Sequence, residues 1–189
     1  PVLAASYNNM AVIELDLGNT IDAKTLLLKA ISIQEKRLEA NHPELVSSYF
    51  NLATVEFSLG KNEKAKALFQ KVIKVQEESH SAEESDLALS FISLAAVEIE
   101  FGNFKAAKTQ YLKAIAILEK VDEADHPDLL NVYSALALIE HELDNLTEAK
   151  LLFRKAISGY EKTHDFDVPN LIPNYIDLAV VERDMGNHK

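Results

Sequence analysis

The sequence contains no cysteine and no tryptophan, and it has only five glycines and five prolines in 189 residues. The lack of cysteine excludes disulfides, thiolate metal sites and a cysteine nucleophile, but it leaves the compartment open. So few glycines and prolines are unusual for a protein built from strands and tight turns. The composition therefore favours helices.

Basic residues are also scarce, since 19 Lys and Arg stand against 30 Asp and Glu, giving a formal net charge of −11. This charge repels phosphate backbones and anionic lipid headgroups, so nucleic acid and membrane surfaces are poor partners. No apolar run reaches the roughly 18–20 residues that cross a bilayer. Because 48% of the residues are hydrophobic, the chain can bury a sizeable core. We expect a soluble protein, in the cytoplasm rather than in another compartment.

A period of 42 residues organises the chain, with blocks that begin at Pro1, Pro43, Ser85, Pro127 and Pro169. Block positions 3, 7, 10, 14 and 17 advance in steps of four and three, which is the spacing of one helical face. A left-handed residue that ends a helix is expected at block position 18, with modest strain at its only aspartate; this position holds Gly18, Gly60, Gly102, Asp144 and Gly186. A second periodic run follows, so each block predicts two antiparallel helices of roughly 16–18 residues joined by a short turn.

The order aromatic, Leu-Ala, Gly-Asn turn, Ala, aromatic, Ala-Ile resembles the tetratricopeptide repeat (TPR), and the block length with "NHPELV" and "DHPDLL" at the joints resembles its kinesin light chain subtype. The resemblance implies an all-α fold, a right-handed superhelical α-solenoid of about nine helices in antiparallel pairs. It also implies one solenoid over residues 1–189, with repeats at 1–42, 43–84, 85–126 and 127–168 and a half repeat at 169–189. Because the chain stops at "GNHK", after a turn, we expect it to be part of a larger protein.

Glutamate stands at block position 14 of every block, where most family members have an aromatic residue: Glu14, Glu56, Glu98, Glu140 and Glu182. A hairpin that turns near block position 19 places this residue opposite block position 24, which holds Lys24, Lys66, Lys108 and Lys150. We therefore predict structural Glu–Lys pairs within each hairpin. Two other interpretations are a ladder of carboxylates that binds a cationic partner and a shared metal site. The separation of about 8–10 Å between neighbouring helices disfavours the metal site.

The resemblance places the groove-facing residues at block positions 5, 8, 12 and 15 of each first helix. With the neighbouring asparagines they give the predicted peptide-binding set, Asn8, Asn9, Val12, Phe50, Asn51, Thr54, Phe57, Leu89, Ile92, Ile99, Leu138 and His141. Only Arg183 is fixedly charged among the groove-facing residues, so an acidic cargo or a free carboxylate is a poor ligand. The apolar lining instead fits a partner with Leu, Phe, Ile or Val side chains, and Asn9 and Asn51 can bond its backbone. The alternative is that these apolar residues pack between adjacent first helices.

No motif of a nucleotide-binding loop, a metalloprotease or a nucleophile elbow occurs, so we expect no catalytic residue, no cofactor and no metal site. His42 and His126 precede block-opening prolines and are expected to cap or brace loops, whereas His141 faces the groove. The predicted function is a non-catalytic protein–protein interaction module that binds a peptide or helix in an apolar groove. The alternatives are a self-associating scaffold, assembled through the open C-terminal half repeat, and a regulatory sensor of a small peptide signal.

Overall fold

The structure, a computed structural model, describes residues 2–78, 83–121, 127–162 and 171–186. In these ranges the chain forms only helices and turns. The helices are α1 (Val2–Asp16), α2 (Thr20–Gln34), α3 (Pro43–Ser58), α4 (Asn62–Glu78), α5 (Glu84–Glu100), α6 (Phe104–Val121), α7 (Pro127–Glu142), α8 (Leu146–Lys162) and α9 (Leu171–Asp184). The predicted all-α fold of paired helices is confirmed. No helix in the described ranges combines the length and the hydropathy needed to span a bilayer.

The chain divides into two compact units, Pro1–Glu100 and Phe101–Lys189. In the first unit each helix from α1 to α5 contacts the next one, and α3 also contacts α1 and α5. In the second unit α6 to α9 contact one another in the same order, and α7 also contacts α9. Successive helix pairs therefore stack within each unit, as in a repeat protein. A single solenoid over residues 1–189 stays a prediction.

Left-handed residues end the first helices, as the sequence predicts. The φ angle is 80° at Gly18, 68° at Gly60 and 62° at Asp144, which is the only described residue other than glycine with a positive φ. After Gly60, the backbone N–H of Lys61 donates to the carbonyl of Glu56 at 2.8 Å, which satisfies a carbonyl at the end of α3. The predicted strain at Asp144 is therefore present, because its Cβ occupies a region that glycine enters freely.

The start of α3 explains the "HP" pair at one block joint. Pro43 occupies the first helical position, where its fixed φ suits the helix and its missing N–H is not needed. His42 is the N-cap, and its Nδ1 accepts a hydrogen bond from the backbone N–H of Glu44 at 3.3 Å. The predicted capping role of His42 is confirmed. His80, His126, His164 and His188 lie outside the described residues.

Two different faces of α3 meet two different second helices, α2 and α4. In α1 only Ala4 and Ala11 are buried, and these small residues let α2 approach closely. In α3 large residues are buried as well, and they join the core cluster that contains Leu27 and Ile31 of α2. Block positions 3, 7, 10 and 13 of α3 thus face the second helix of the preceding repeat, whereas the alanines of α1 face the second helix of their own repeat.

At one contact between α7 and α8, the large residue lies on the first helix and the small residue lies on the second helix. A Cβ atom added to Gly159 of α8 would lie 2.2 Å from Leu130 Cδ2 of α7. The equivalent residues of the first repeat are Ala4 and Ile33, so the small residue is there on the first helix. The glycine inside α8 therefore makes room for Leu130, which stands where the first repeat has an alanine.

Candidate functional site

We define the groove face of the first unit by block positions 5, 8, 12 and 15 of α1, α3 and α5. None of these residues is fully buried. Of the predicted peptide-binding set, Asn9, Val12, Leu89 and Leu138 are exposed, and Asn8, Phe50, Asn51, Thr54, Phe57, Ile92, Ile99 and His141 are partly buried. The helical register that the sequence predicts for this face is therefore compatible with access from solvent.

A small cavity lies on the groove face between α3 and α5. Its volume is about 80 Å³, and it is lined by Val46, Ser47, Phe50, Gln76, Asp86 and Leu89. Phe50, Leu89 and Val46 supply the apolar side chains of the lining, and Ser47, Gln76 and Asp86 supply the polar ones. A cavity of this size exceeds the space of one or two water molecules. It can hold one small aliphatic group.

Phe50 also belongs to the core of the first unit, where it contacts the second helix of its own repeat. Its ring lies 5.5 Å from that of Phe69, edge to face at 66°. Phe50 packs against the core cluster of the first unit as well. Such an aromatic pair contributes to stability beyond its buried area. A change at Phe50 would therefore affect folding as well as the lining of the cavity.

The predicted backbone-binding asparagine Asn51 already has a partner within the chain. Its Nδ2 donates to Asn8 Oδ1 at 3.1 Å, and Ser48 Oγ donates to the same oxygen at 3.2 Å. These bonds join α1 to α3 at the groove face. Asn51 thus stabilises the contact between adjacent first helices, and Asn9 is the exposed amide beside it.

His141, in the second unit, contacts α9. Its Nε2 lies 2.9 Å from Asp184 Oδ2. The hydrogen bond with His141 and another with Arg183 hold the pKa of the Asp184 carboxyl below its usual value. Among the described residues no three His, Asp or Glu side chains lie close enough together to hold a metal ion. His141 is therefore paired with the carboxylate of Asp184.

Glu–Lys pairs form between successive repeats, and not within each hairpin as the sequence predicts. Each lysine at block position 24 contacts the glutamate of the following first helix. The Nζ–Oε1 distances are 2.6 Å for Lys24–Glu56, 2.9 Å for Lys66–Glu98, 2.7 Å for Lys108–Glu140 and 2.8 Å for Lys150–Glu182. The prediction that each glutamate pairs with the lysine of its own hairpin was therefore wrong. The reason is geometric, because block position 14 lies beside the residues that face the preceding second helix.

Asparagines of the hairpin turn donate to two of the repeated glutamates, Glu140 and Glu14. Asn145 Nδ2 donates to Glu140 Oε2 at 2.7 Å, so Lys108 and Asn145 each take one oxygen of that carboxylate. Asn19 donates to Glu14 Oε2 at the same distance. The Lys108–Glu140 pair also lines a cavity of about 720 Å³ between α6, α7 and α8. Solvent therefore reaches the lysine end of the pair.

A second inter-repeat contact was not predicted from the sequence. Tyr133 Oη donates to Glu119 Oε1 at 2.6 Å, and Lys155 Nζ lies 4.0 Å from the centre of the tyrosine ring. Tyr49 makes the same bond to Glu35, with Lys71 over its ring. Burial and the bond to Glu35 raise the pKa of Tyr49 to about 12. The sequence does carry a signal of this contact, because tyrosine, lysine and glutamate recur at block positions 7, 29 and 35.

The chain was compared with known proteins. The profile of the tetratricopeptide repeat family matches residues 2–78 and 86–162. The structure is similar to BtubC (BKLC) from P. vanneervenii, with 20% identity, a TM-score of 0.84 and coverage of 98% of this chain and 74% of that chain. It is similar to a kinesin light chain candidate with nearly identical TPR-like repeats from Podosopora anserina, with 22% identity, a TM-score of 0.82 and coverage of 97% and 87%.

The structure is also similar to the apo form of RapI, with 21% identity, a TM-score of 0.76 and coverage of 86% of this chain and 57% of that chain. At these identities the similarity shows the fold alone. A comparison with curated protein sequences found no match.

Proposed function

The chain belongs to the tetratricopeptide repeat family, and from this premise we propose that it is a protein–protein interaction module that binds an apolar segment of a partner on its groove face. The family is generally a non-catalytic interaction fold, and this chain is proposed to share that character. The segment is either an extended peptide or an amphipathic helix with Leu, Phe, Ile or Val side chains.

The cavity beside Phe50 and Leu89 is the observation that carries this proposal. It offers an apolar recess of about 80 Å³ on a face where neighbouring side chains are accessible. Leu89 at its edge is 47% exposed. An apolar side chain of a partner that enters the recess would release water from Leu89 and Phe50, and burial of apolar surface stabilises a complex.

Charge supports an apolar ligand over an acidic one. The groove face of the first unit carries no Lys or Arg at block positions 5, 8, 12 and 15 of α1, α3 and α5. Asp86 borders the cavity and adds a carboxylate. A partner with an acidic group at this point would meet repulsion without a compensating cation.

The test is a selection from a displayed library of random 12-residue peptides, followed by affinity measurements on the enriched peptides. We expect enrichment of apolar residues, and we expect Leu89→Asp to weaken binding at least tenfold. Leu28→Asp is the matched control, because Leu28 is 49% exposed but lies on α2, away from the groove face. Circular dichroism checks that both variants keep their helices. Enrichment of acidic peptides, or equal affinity for both variants, would contradict the proposal.

A self-associating scaffold is the second candidate, and α9 favours it. Ile172 and Ile176 are both exposed on this helix, and an apolar helix face of this kind commonly marks an interface. If copies associate through α9, the mass measured by light scattering rises with concentration, and Ile176→Asp restores the monomer. A constant monomer mass at high concentration would exclude this candidate.

A further inference from the structure

The cavity between α3 and α5 contains a buried amide oxygen without a hydrogen-bond donor. Gln76, near the end of α4, lines this cavity and is 8% exposed. Its Oε1 accepts no hydrogen bond within the described part of the chain. A buried amide oxygen that lacks a donor destabilises the folded state, and a ligand with an N–H or O–H group removes that penalty. The cavity therefore holds an unused acceptor on the groove face.

The amide of Gln76 can present this oxygen to a ligand by turning about its terminal bond. The oxygen itself is buried, but the last torsion of a glutamine side chain is soft. A turn about it exchanges the positions of the amide oxygen and nitrogen, and it moves neither the stem nor α4. A donor that enters the cavity thus meets an acceptor at its wall.

The other polar groups of the cavity favour a cation. Asp86, in the first turn of α5, adds an exposed carboxylate, and Ser47 adds an exposed hydroxyl. No Lys or Arg occurs among the described residues that line the cavity, and the formal net charge of the chain is −11. An ammonium group carries a positive charge and several N–H donors, so it can satisfy an amide oxygen, a carboxylate and a hydroxyl together.

The apolar side of the cavity fits a methylene stem that carries such a group. Phe50, Leu89 and Val46 form this side. Lysine packs its methylene groups along apolar surface while its charged end reaches polar atoms. The volume of about 80 Å³ is enough for the end of one such side chain. A leucine or valine in the same place would leave the oxygen of Gln76 without a donor.

We propose that this cavity binds one lysine side chain of the partner segment. The methylene groups of the lysine pack against Phe50 and Leu89, and its ammonium group pairs with Asp86 and donates to Oε1 of Gln76. The inference rests on the proposed function, which supplies the apolar segment, and it names the one charged residue that this segment carries into the groove. An acidic residue at the same place meets the carboxylate of Asp86 and is rejected.

The first measurement uses n-butylammonium, which has the stem and the charged end of a lysine side chain. It is titrated into the protein, and the side-chain amide signals of Gln76 and the methyl signals of Leu89 are followed by NMR. We expect a saturable shift of both. n-Butanol has the same stem with an uncharged donor, and tetramethylammonium has the same charge without an N–H group. Both should bind about tenfold more weakly, because each lacks a charge-assisted hydrogen bond.

Two substitutions remove the polar groups and keep the apolar side of the cavity. Gln76→Met removes the acceptor at nearly constant length, and Asp86→Asn removes the charge. Each should weaken the binding of n-butylammonium about fivefold to tenfold. The matched controls are Gln34→Met and Glu44→Gln, at the same block positions one repeat earlier. Gln34 has an Oε1 without a partner too, but neither control residue lines this cavity, so both variants should bind like the native protein. Urea unfolding checks that all four variants are folded.

The second measurement concerns the partner segment. The library of 12-residue peptides is selected in parallel on the native protein and on Gln76→Met. We expect the native protein to enrich peptides with one lysine among apolar residues, and we expect Gln76→Met to lose the preference for that lysine. In an enriched peptide, replacement of the lysine by norleucine keeps most of the stem and removes the ammonium group. This replacement should weaken binding about tenfold.

The outcomes separate the inference from the proposed function. Enriched apolar peptides without a lysine, or equal affinity of the lysine and norleucine peptides, overturn the inference and leave the proposed function in place. The absence of any enriched peptide contradicts the proposed function, and the lysine of the partner falls with it.

The titration gives independent grounds for rejection. If n-butylammonium causes no shift, or if n-butanol binds equally well, the cavity does not select an ammonium group and the inference is overturned. Equal loss of binding in the control variants Gln34→Met and Glu44→Gln would mean general attraction of a cation to the acidic chain, which overturns it as well.

Discussion

Lys108→Met should destabilise the second unit more than the loss of an ordinary surface lysine. Lys108 Nζ lies 2.7 Å from Glu140 Oε1, and the side chain of Glu140 is 2% exposed. Removal of one partner of a fully buried pair costs about 3–5 kcal/mol, and an exposed pair contributes about 0–1 kcal/mol. Because the lysine side chain is 34% exposed, water can solvate the Glu140 carboxylate in part after the ammonium group is removed. We expect a loss of about 1.5–3 kcal/mol.

A double-mutant cycle isolates the pair. Lys108→Met, Glu140→Gln and their combination are unfolded in urea and followed by circular dichroism, with equal m-values as the check that the transitions are comparable. The neutral amide removes the unpaired charge, so the double variant should recover part of the loss. We expect a coupling free energy of about 1–2 kcal/mol.

The control cycle combines Glu140→Gln with Lys150→Met. Lys150 belongs to the same hairpin as Glu140, but its Nζ lies 2.8 Å from Glu182. These two changes should therefore add within about 0.5 kcal/mol. If the first cycle is additive and the control cycle is coupled, the glutamate pairs within its own hairpin and the assignment between repeats is wrong.

Three further predictions concern single residues. Gly159→Ala should destabilise the protein by about 1–3 kcal/mol in urea unfolding, because the new methyl group meets Leu130; Leu130→Ala should recover part of this loss, and a stable single variant would contradict the close packing. Asp144→Gly should stabilise the protein by about 0.5–1 kcal/mol, because it relieves the strain of a left-handed backbone at a residue with a Cβ. Asn145→Gly is the control, and it should not stabilise the protein. Tyr49 should ionise near pH 12 in an ultraviolet titration, and Tyr49→Phe should remove that phase. Because the raised pKa favours the neutral phenol in the folded state, the contribution of Tyr49 to the free energy of unfolding is complete below pH 10 and is lost as the pH approaches 12. Ionisation near pH 10 would contradict burial of this hydroxyl.

Local features of the fold could be predicted from the sequence because each depends on a few neighbouring residues. The 42-residue period gives the helix pairs, and Gly18 and Asp144 mark the ends of first helices since a left-handed residue is needed there. The cap at His42 follows from its place before Pro43.

The partner of the repeated glutamate could not be predicted, and the repetition itself is the reason. Glu56 has a lysine at block position 24 in its own repeat, Lys66, and another in the preceding repeat, Lys24. Both alternatives place the same residue types together, so only the direction of each helix face distinguishes them. The structure selects Lys24.

The residues predicted to line the groove are at least partly exposed in the structure, but the contacts of each one were not predicted. Phe50 serves the core and the cavity together, and Asn51 bonds to Asn8. The bond between Asn51 and Asn8 depends on the distance between adjacent first helices, and the contact of Phe50 with Phe69 depends on how α3 packs on α4. The sequence specifies neither. Gly159 was missed although it carries a signal, because its meaning depends on the unusual size of Leu130 across the contact.

Pairing between repeats has a consequence for how such a chain can change length. Each repeat holds the lysine for the repeat that follows and the glutamate for the repeat before it. A gene duplication or deletion of one whole block therefore preserves the matching ends, and loss of residues 43–84 would present Lys24 to Glu98. A change in length that is not a multiple of 42 residues shifts the block positions and leaves a mismatched junction. Recombination in steps of 42 residues is thus the change in length that this protein tolerates best.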